Sequence, residues 1–466
     1  MIVLPLLRLI QIHYNNLFQV VAKMKNEIGI SLIGLGVVGS GVAKQLISKE
    51  HIFTEAVGSK LVLNHVMVRN KTKKRDFQLS PDLFVDTFEE IINDDSTDVV
   101  IEVIGGVEPA KTFIIQALNN QKHVVTANKE LIAKHGPELI SIATENNVRI
   151  LFEASVAGGT PIISPVIRDF SANNITSIKA IINGTTNYIL SRMSTENADY
   201  FEVLKDAQKL GYAESDPTND VEGVDAAYKL AILSSLSYKS FVKDSDVYCE
   251  GITNISAKDF QIAKELGYEI KLIGFSEFKD DQISARVHPT LISKNEMLAN
   301  VNGVLNSVQI ETDLIGNVLF HGAGAGSLPT ASAVLADVID ISRNISSGFV
   351  VLDYMNISEK SSIVVVLDYM NISEKSSIVK ISDLVTKYYI RVSANDQPGV
   401  LSQISTILAN HQISIASFIQ KSSYDGLAEL VIMTHEALER SIQDALGEIR
   451  NLNVVKAIDN SIRVMN

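Results

Sequence analysis

Residues 28–48 read IGISLIGLGVVGSGVAKQLIS, and this stretch decides the fold of the first part of the chain. Its first six residues are mostly apolar, as expected of a short buried strand. The next six, GLGVVG at 34–39, form the pattern G-x-G-x-x-G, and a helical run follows. Glycines at this spacing allow a tight turn, close approach of the backbone to a pyrophosphate, and close packing of helix and strand. The stretch predicts a dinucleotide-binding turn; a tight turn before an ordinary helix is the alternative.

Further strand-like runs alternate with helical ones downstream. They are LVLNHVMV at 61–68, DVVIEVIGG at 98–106, HVVTAN at 123–128 and VRILFEASV at 148–156. This alternation predicts an α/β fold with a doubly wound, parallel, Rossmann-type sheet, in which ligands bind beyond the carboxyl ends of the strands. We expect five residues to lie at such ends: Gly105, Gly106, Thr126, Asn128 and Lys129.

A basic cluster follows the second strand. A fold that binds NAD usually has an acidic residue near this point, where it holds the ribose 2′-hydroxyl. This chain has basic residues instead: Arg69, Lys71, Lys73, Lys74 and Arg75. The cluster favours NADP, whose 2′-phosphate it would neutralise, over NAD. A solvated basic loop is the alternative.

The domain organisation is predicted from the chain length and from changes in the pattern of strand-like and helical runs. A chain of 466 residues predicts about three domains. We expect an amino-terminal extension at 1–23, with a weak interfacial helix as the alternative, and a nucleotide-binding domain at 24–156. An α+β domain at 157–320 and a segment at 321–345 that returns to the first domain should follow. A linker at 346–385 and a compact domain at 386–466 of ferredoxin-like type complete the chain.

The linker contains a tandem duplication. The sequence VVLDYMNISEKSSIV occupies 350–364 and recurs without a change at 365–379. Solenoid repeats have longer periods and divergent copies, so this is not an architectural repeat. A recent duplication or an error in the recorded sequence explains it better.

The composition excludes several classes of protein. Hydrophobic residues make up 46% and charged residues 20% of the chain, which argues against disorder. The single cysteine, Cys249, excludes a disulfide scaffold and a zinc site of several thiolates, and it fits a reducing cytoplasm. A formal net charge of −13 without a long basic run argues against nucleic acid or an anionic membrane as a partner.

Six motifs resemble those of homoserine dehydrogenases, in the order of that family. They are GLGVVGSG (34–41), TANKELIA (126–133), EASVAGGTPI (153–162), NGTTNYIL (183–190), GYAESDPTNDVEGVDAAYKLAIL (211–233) and GAGAGSLPTASAVLAD (322–337). The run DQPGVL at 396–401, which enters a helix, resembles an ACT domain, a module that senses amino acids. The resemblance extends from about residue 27 to the end. It implies NAD(P)H-dependent reduction of aspartate 4-semialdehyde to homoserine, on the route to threonine and methionine.

The resemblance assigns catalysis to Lys229, Asp225 and Lys129. Lys229 would exchange a proton with the substrate oxygen as hydride moves, and Asp225 would orient it. Lys and Asp four residues apart share one face of a helix, and spacing alone favours an ordinary surface ion pair. The surrounding motif favours catalysis, for which a lysine with an adjustable pKa is suited. Lys129 would polarise the carbonyl or bind the substrate carboxylate.

The remaining site residues are also implied by the resemblance. Glu214 and Asp220 would hold the substrate ammonium, although an acidic turn is the alternative, and the loop of Asn183, Gly184, Thr185 and Thr186 would bind the carboxylate. The residues assigned to the cofactor are Gly34, Gly36, Val37, Val38, Gly39, Arg69, Gly105, Lys129, Gly324 and Gly326. Those assigned to a sodium ion are Glu153, Val156, Gly158 and Thr160. One carboxylate with carbonyl oxygens suits sodium, although an ordinary strand end is the alternative.

The ACT resemblance implies regulation and assembly. The family implies inhibition by an amino acid, first of all threonine, which would bind at a dimer of ACT domains. It also implies that the protein is a homodimer or homotetramer. Two other functions stay open: a related semialdehyde reductase, and an inactive amino-acid sensor that keeps the fold. A phosphorylating aldehyde dehydrogenase is disfavoured because Cys249 lies in no nucleophile motif.

Overall fold

The computed structural model describes residues 25–347, 376–422 and 426–465, except Lys74 and Asp76. The predicted extension at 1–23 and most of the duplicated segment lie outside these residues. The described residues form two compact units, one of 25–163 with 326–347 and one of 164–325 with 376–465. Both internal breaks come a few residues after the predicted boundaries at 156 and 320, and the domain bounds stay a prediction.

The first unit is built on a six-stranded parallel sheet in the order β3-β2-β1-β4-β5-β6. This is the strand order of the Rossmann fold, and the predicted fold class is confirmed. The strands are β1 (Glu27–Ile33), β2 (Lys60–Met67), β3 (Phe84–Val85), β4 (Thr97–Glu102), β5 (His123–Thr126) and β6 (Ile150–Leu151). The helices are α1 (Val37–Ser48), α2 (Glu50–Val57), α3 (Phe88–Ile92), α4 (Ala110–Asn119) and α5 (Lys129–Glu145).

Burial on both faces explains the apolar strands of this sheet. Ile30 and Leu32 lie on one face of β1 and Ile33 on the other, and all three are at most 1% exposed, as parallel strands covered by helices require. The prediction of a strand over 148–156 was wrong beyond Leu151, because Glu153–Ser155 form a 3-10 turn. The buried Glu153 carboxylate accepts hydrogen bonds from the backbone of Ile162 (2.7 Å) and Ile163 (2.9 Å), and so it folds the chain back.

The second unit contains one mixed sheet of twelve strands. Its first strands are β7 (Ile175–Ile181), β8 (Tyr248–Cys249), β9 (Tyr268–Lys279), β10 (Gln282–Ser293), β11 (Leu305–Thr312) and β12 (Gly316–Ala323). The helices between them are α6 (Gly184–Glu196), α7 (Tyr200–Lys209), α8 (Thr218–Val221), α9 (Val224–Tyr238) and α10 (Ala257–Glu265). Helix α9 packs on β9, where Gly274 lies against Leu230 and Ser234 donates to Ser276.

Helix α11 (Ser327–Ser347) belongs to the first unit. It packs against α1, where a side chain at Gly41 would come within 2.7 Å of the Ser327 hydroxyl. The Ser327 hydroxyl donates to the carbonyl of Val37 (2.8 Å). These contacts fix the start of α11 beside the start of α1.

The carboxyl-terminal strands and helices confirm the predicted ferredoxin-like order. They are β13 (Ser377–Ile378), β14 (Val385–Asn395), α12 (Val400–Asn410), β15 (Ile415–Ser422), β16 (Leu427–Thr434), β17 (Ala437–Leu438), α13 (Glu439–Arg450) and β18 (Val455–Val464). The main path of the twelve-stranded sheet runs β12-β11-β7-β9-β10-β18-β14-β16-β15. This segment has its own apolar core, yet β18 pairs in parallel with β10 at Thr290–Arg463 and Leu291–Val464. The sheet therefore continues from β10 into the carboxyl-terminal module.

Candidate active site

A buried ion pair on α9 forms the centre of the site. The ammonium of Lys229 donates to Asp225 Oδ2 at 2.7 Å and to the carbonyl of Ile182 at 2.9 Å. The Lys229 side chain is 12% exposed and that of Asp225 is 6% exposed. An exposed ion pair on a helix is mobile and contributes little to stability. This pair is instead held in one geometry, so the interpretation as an ordinary surface pair is wrong.

Asn183 connects this pair to a second carboxylate. Its Nδ2 donates to Asp225 Oδ2 (2.9 Å) and to Asp220 Oδ1 (2.7 Å), while its Oδ1 caps α6 by accepting from Thr186 N. Burial, and then the negative charge of Asp225, raise the pKa of Asp220 above its usual range. A cation bound beside Asp220 would relieve that repulsion.

For the other residues assigned to the substrate, the structure shows contacts away from the Lys229–Asp225 ion pair. Glu214 is exposed, and its backbone carbonyl accepts from Gln208. Gly184 begins α6, and a side chain there would come within 2.9 Å of the carbonyl of Val304. The hydroxyl of Thr185 donates to Tyr212 O (2.7 Å), and that of Thr186 donates to Asn183. Both hydroxyl protons are therefore used within the protein.

The glycine turn of the first unit has the shape that a phosphate needs. Gly34 has φ +100°, and a side chain at Gly39 would lie 2.1 Å from the carbonyl oxygen of Gly34. At Gly36, the N-cap of α1, a side chain would meet no atom of the described residues within 4 Å, apart from its two neighbours in the chain. The space above Gly36 is open to a ligand, and the first N–H groups of α1 face it. Val37 is exposed beside this space, and Val38 is half-buried. The donor set fits a dinucleotide.

The residues of the basic cluster after β2 differ in their surroundings. Arg69 is exposed, whereas Lys71 pairs with Asp86 at 2.6 Å. Arg75 donates to Leu35 O (3.3 Å), so its guanidinium lies beside the glycine turn. Lys74 lies outside the described residues.

A buried glutamate that the sequence reasoning missed organises the ends of β4 and β5. Glu102 is fully buried, and it accepts from the backbone of Ile104 (2.8 Å) and Gly105 (3.2 Å) and from the hydroxyl of Thr126 (2.6 Å). Asn128 continues this network, since its backbone N–H donates to Thr126 Oγ1. The signal was a charged residue inside the apolar run DVVIEVI. The network fixes the start of α5, where Lys129 is half-buried.

The second glycine cluster is explained in part by packing. A side chain at Gly324 would overlap the Asn306 side chain at about 2 Å. Gly326 has φ +113° and precedes α11. The close approach at Gly324 and the positive φ at Gly326 explain why glycine occupies these positions, and their role in binding the cofactor stays a prediction.

Among the residues assigned to sodium, Glu153 lies beside a second buried carboxyl group, that of Asp337. The Glu153 N–H donates to Asp337 Oδ2 at 2.8 Å. Burial raises the pKa of Asp337 well above its usual range, and the negative charge of Glu153 acts in the same direction. Ala157 and Gly158, both with positive φ, turn the chain so that Thr160 N donates to Ala157 O. The backbone of Val156 is part of this turn.

Comparison with known proteins decides the family. A family model for the NAD-binding domain of homoserine dehydrogenase matches residues 34–153, one for homoserine dehydrogenase matches 161–339, and an ACT-domain model matches 388–454. A homoserine dehydrogenase of Synechocystis is 43% identical over 404 residues, which cover 86% of this chain and 91% of that protein. The chain belongs to the homoserine dehydrogenase family.

Solved homoserine dehydrogenases agree with this result. The structure from Thiobacillus denitrificans has a TM-score of 0.86 and 38% identity, and the match covers 94% of this chain and 98% of that one. A hyperthermophilic archaeal homoserine dehydrogenase in complex with NADPH has a TM-score of 0.58 and 29% identity, over 68% of this chain and 98% of that one.

Membership confirms the main predictions for this homoserine dehydrogenase. It is an oxidoreductase that uses NAD(P), with a Rossmann-type domain, a mixed-sheet catalytic domain and an ACT domain. Among the described residues, no helix has the length and apolar character needed to span a bilayer.

Proposed function

We propose that Lys229 is the proton donor and acceptor when this chain interconverts aspartate 4-semialdehyde and homoserine. The observation that carries the proposal is the buried ammonium held by Asp225 Oδ2 and Ile182 O. When bound, the nicotinamide supplies or accepts the hydride. The ammonium gives its proton to the oxygen of the reduced aldehyde, and the neutral amine takes it back in the reverse direction. Asp225 keeps Nζ in place through its hydrogen bond with the ammonium.

The substrate ammonium is proposed to lie beside Asp220. The half-buried Asp220 and the buried Asp225 share the amide of Asn183, and of these two carboxylates only Asp225 forms an ion pair with Lys229. A second cation near Asp220 would balance the charge of the cluster. Glu214 would complete this subsite from its exposed loop. Binding of the carboxylate by the loop at 183–186 rests on the resemblance alone, as does the role of Lys129.

A preference for NADP is proposed from the basic cluster. Arg69 is exposed just after β2, the strand whose end reaches the cofactor ribose in Rossmann folds, and Arg75 lies against the glycine turn. Their positive charge suits a 2′-phosphate. Sodium is proposed to bind near Glu153, because a buried carboxylate beside carbonyl oxygens is an all-oxygen donor set.

Regulation and assembly are proposed from the ACT domain. Threonine is the proposed inhibitor, a homodimer or homotetramer the proposed assembly, and the cytoplasm the proposed location. The effector must bind two states of the enzyme unequally for inhibition to occur. The continuous sheet through β10 and β18 offers a connection between the ACT domain and the catalytic strands.

Homoserine oxidation by the purified full chain tests these proposals. We expect turnover with NADP⁺ that exceeds turnover with NAD⁺, inhibition by threonine, and lower activity when sodium is replaced by choline. Threonine binding without any turnover would instead identify an inactive sensor. Turnover of other semialdehydes in preference to this one would identify a related reductase.

A further inference from the structure

A small cavity lies where the ACT domain joins the catalytic sheet, within the second unit. Its volume is about 110 Å³. One wall comes from β7, β9 and β10, and the other comes from the start of β14 and the end of β18. The polar lining residues are Lys179, Glu277, Arg286, His288, Thr290, Thr386 and Arg463.

Two cations of the catalytic wall have unused donors. Arg286 Nη1 donates to Glu277 (2.8 Å) and Ser284 (3.0 Å), and its guanidinium lies 4.9 Å from the centre of the Phe275 ring. Arg286 is 8% exposed, and its Nε, which is fully buried, has no partner among the described residues. Within the same described ranges the Lys179 ammonium makes no ion pair or hydrogen bond. Lys179 is half-buried, so the free-energy cost of an unpaired buried donor, which a ligand would recover, applies to Arg286 Nε.

Arg463, the third cation of the lining, is already neutralised. It donates to Glu439 through Nε (2.9 Å) and Nη2 (2.8 Å), and to Glu250 through Nη1 (2.6 Å). The lining charges left for a ligand are therefore those of Lys179 and Arg286, offset by Glu277. Their sum is one positive charge, which favours a monoanion.

His288 supplies an unused acceptor next to these donors. The residue is 2% exposed, and its Nδ1 lies 3.0 Å from the carbonyl oxygen of Pro289, to which an Nδ1–H donates. Nε2 then carries a lone pair, and it has no partner among the residues that the structure describes. Burial, with the positive charges of Arg463 and Arg286, keeps the pKa of His288 well below its usual value, so the ring is neutral. Such an acceptor requires a donor from the occupant.

We propose that this cavity binds a small monocarboxylate that also carries a hydrogen-bond donor, such as a hydroxy acid. The carboxylate would pair with Lys179 and the free N–H of Arg286, and the hydroxyl would donate to His288 Nε2. The cavity volume is close to the volume that about four water molecules occupy in liquid water. A ligand of only a few heavy atoms would therefore fit. The ligand would contact both walls of the cavity. Its binding would therefore stabilise the contact between the ACT strands β14 and β18 and the catalytic strands β7, β9 and β10.

Calorimetric titration of the full chain with glycolate tests the proposal. We expect glycolate to bind at least tenfold more tightly than acetate, which lacks the donor, and more tightly than inorganic phosphate. Lys179→Met should weaken glycolate binding at least tenfold, while Lys179→Arg should largely keep it. Lys279→Met is the matched control, because Lys279 is exposed at the end of β9 and outside the cavity lining.

Several outcomes would overturn the proposal. Equal affinities for glycolate and acetate would refute the role of His288 as an acceptor. Unchanged glycolate affinity in Lys179→Met would refute the site itself. Tighter binding of phosphate would identify an oxyanion site of another kind. Asp220→Asn separates this cavity from the substrate site: glycolate binding should survive that change, and its loss would place glycolate beside Asp220 instead. None of these results depends on the assignment of Lys229.

Discussion

Replacing Lys229 by methionine should abolish proton transfer and leave a buried charge without its partner. Methionine keeps much of the side-chain volume but has no proton to give. General acid–base catalysis contributes about 10²–10⁴-fold, which at about 1.36 kcal/mol per tenfold corresponds to about 3–5 kcal/mol of barrier. The structure adds a second cost, because the Asp225 side chain is 6% exposed and would lose the ion pair with the Lys229 ammonium. Breaking a buried ion pair in this way costs about 3–5 kcal/mol of stability.

A double variant separates the two effects. Lys229→Met with Asp225→Asn removes both charges, so the unfolding free energy should recover most of the loss while the turnover number stays low. The assay is the initial rate of homoserine oxidation, followed through the absorbance of the reduced nicotinamide, beside urea unfolding and cofactor affinity for each variant. Lys205→Ala, an exposed lysine on α7, is the control and should behave as the parent does.

Lys229→Arg provides the decisive comparison. Arginine keeps the positive charge but does not release a proton near neutral pH. If Lys229→Arg retained more than a tenth of the parent turnover, the charge alone would suffice and the acid–base role would be refuted. Full activity in Lys229→Met would refute any catalytic role.

Three further predictions concern other parts of the molecule. Gly39→Ala should lower the melting temperature, since the new Cβ would lie 2.1 Å from a carbonyl oxygen. Gly36→Ala should leave the melting temperature unchanged and weaken cofactor binding. An equal drop in melting temperature in both variants would contradict this prediction. Arg69→Ser should raise KM for NADP⁺ several-fold with little change for NAD⁺, and equal changes would remove Arg69 from the phosphate site. Asp259→Asn should lower the unfolding free energy by about 3 kcal/mol, because Asp259 is fully buried and accepts from Arg391 Nε at 2.8 Å. Burial raises the pKa of Asp259, but the hydrogen bonds and charge of Arg391 outweigh it and leave that pKa below 3.8. The stabilisation is therefore complete above pH 3.8 and is lost as the pH falls through the folded-state pKa; acid unfolding curves of equal shape for parent and variant would contradict the assignment.

The nucleotide-binding fold could be predicted from sequence because its signals are local. The run from Ile28 to Ser48 contains a strand, a turn that needs glycine, and a helix, all adjacent in the chain. Strand β6 was overestimated for the opposite reason. Its apolar run continues past Leu151, but Glu153 bends the chain through hydrogen bonds to backbone groups nine and ten residues further on. Periodicity does not encode such a bond.

The sequence named the residues that are proposed for the site, but it did not give their arrangement. The spacing of Asp225 and Lys229 indicated a shared helix face, and α9 provides it. Nothing in that spacing showed that the pair is buried or that it also involves the carbonyl of Ile182, 47 residues earlier. The bridging amide of Asn183 and the buried Glu102 were missed as organisers for the same reason, since their partners come from separate strands and helices.

The sequence by itself determined the order of the secondary structure, the glycine turn and the set of ionisable residues available for hydride-transfer chemistry, because each depends on neighbours within a few positions. Only the tertiary structure decided that the lysine of α9 is desolvated between a carboxylate and a carbonyl. It alone also decided that β18 joins β10, and that Lys179, Arg286 and His288 meet at that junction. These contacts join residues far apart in the chain, and packing of the sheet, rather than any local pattern, brings them together.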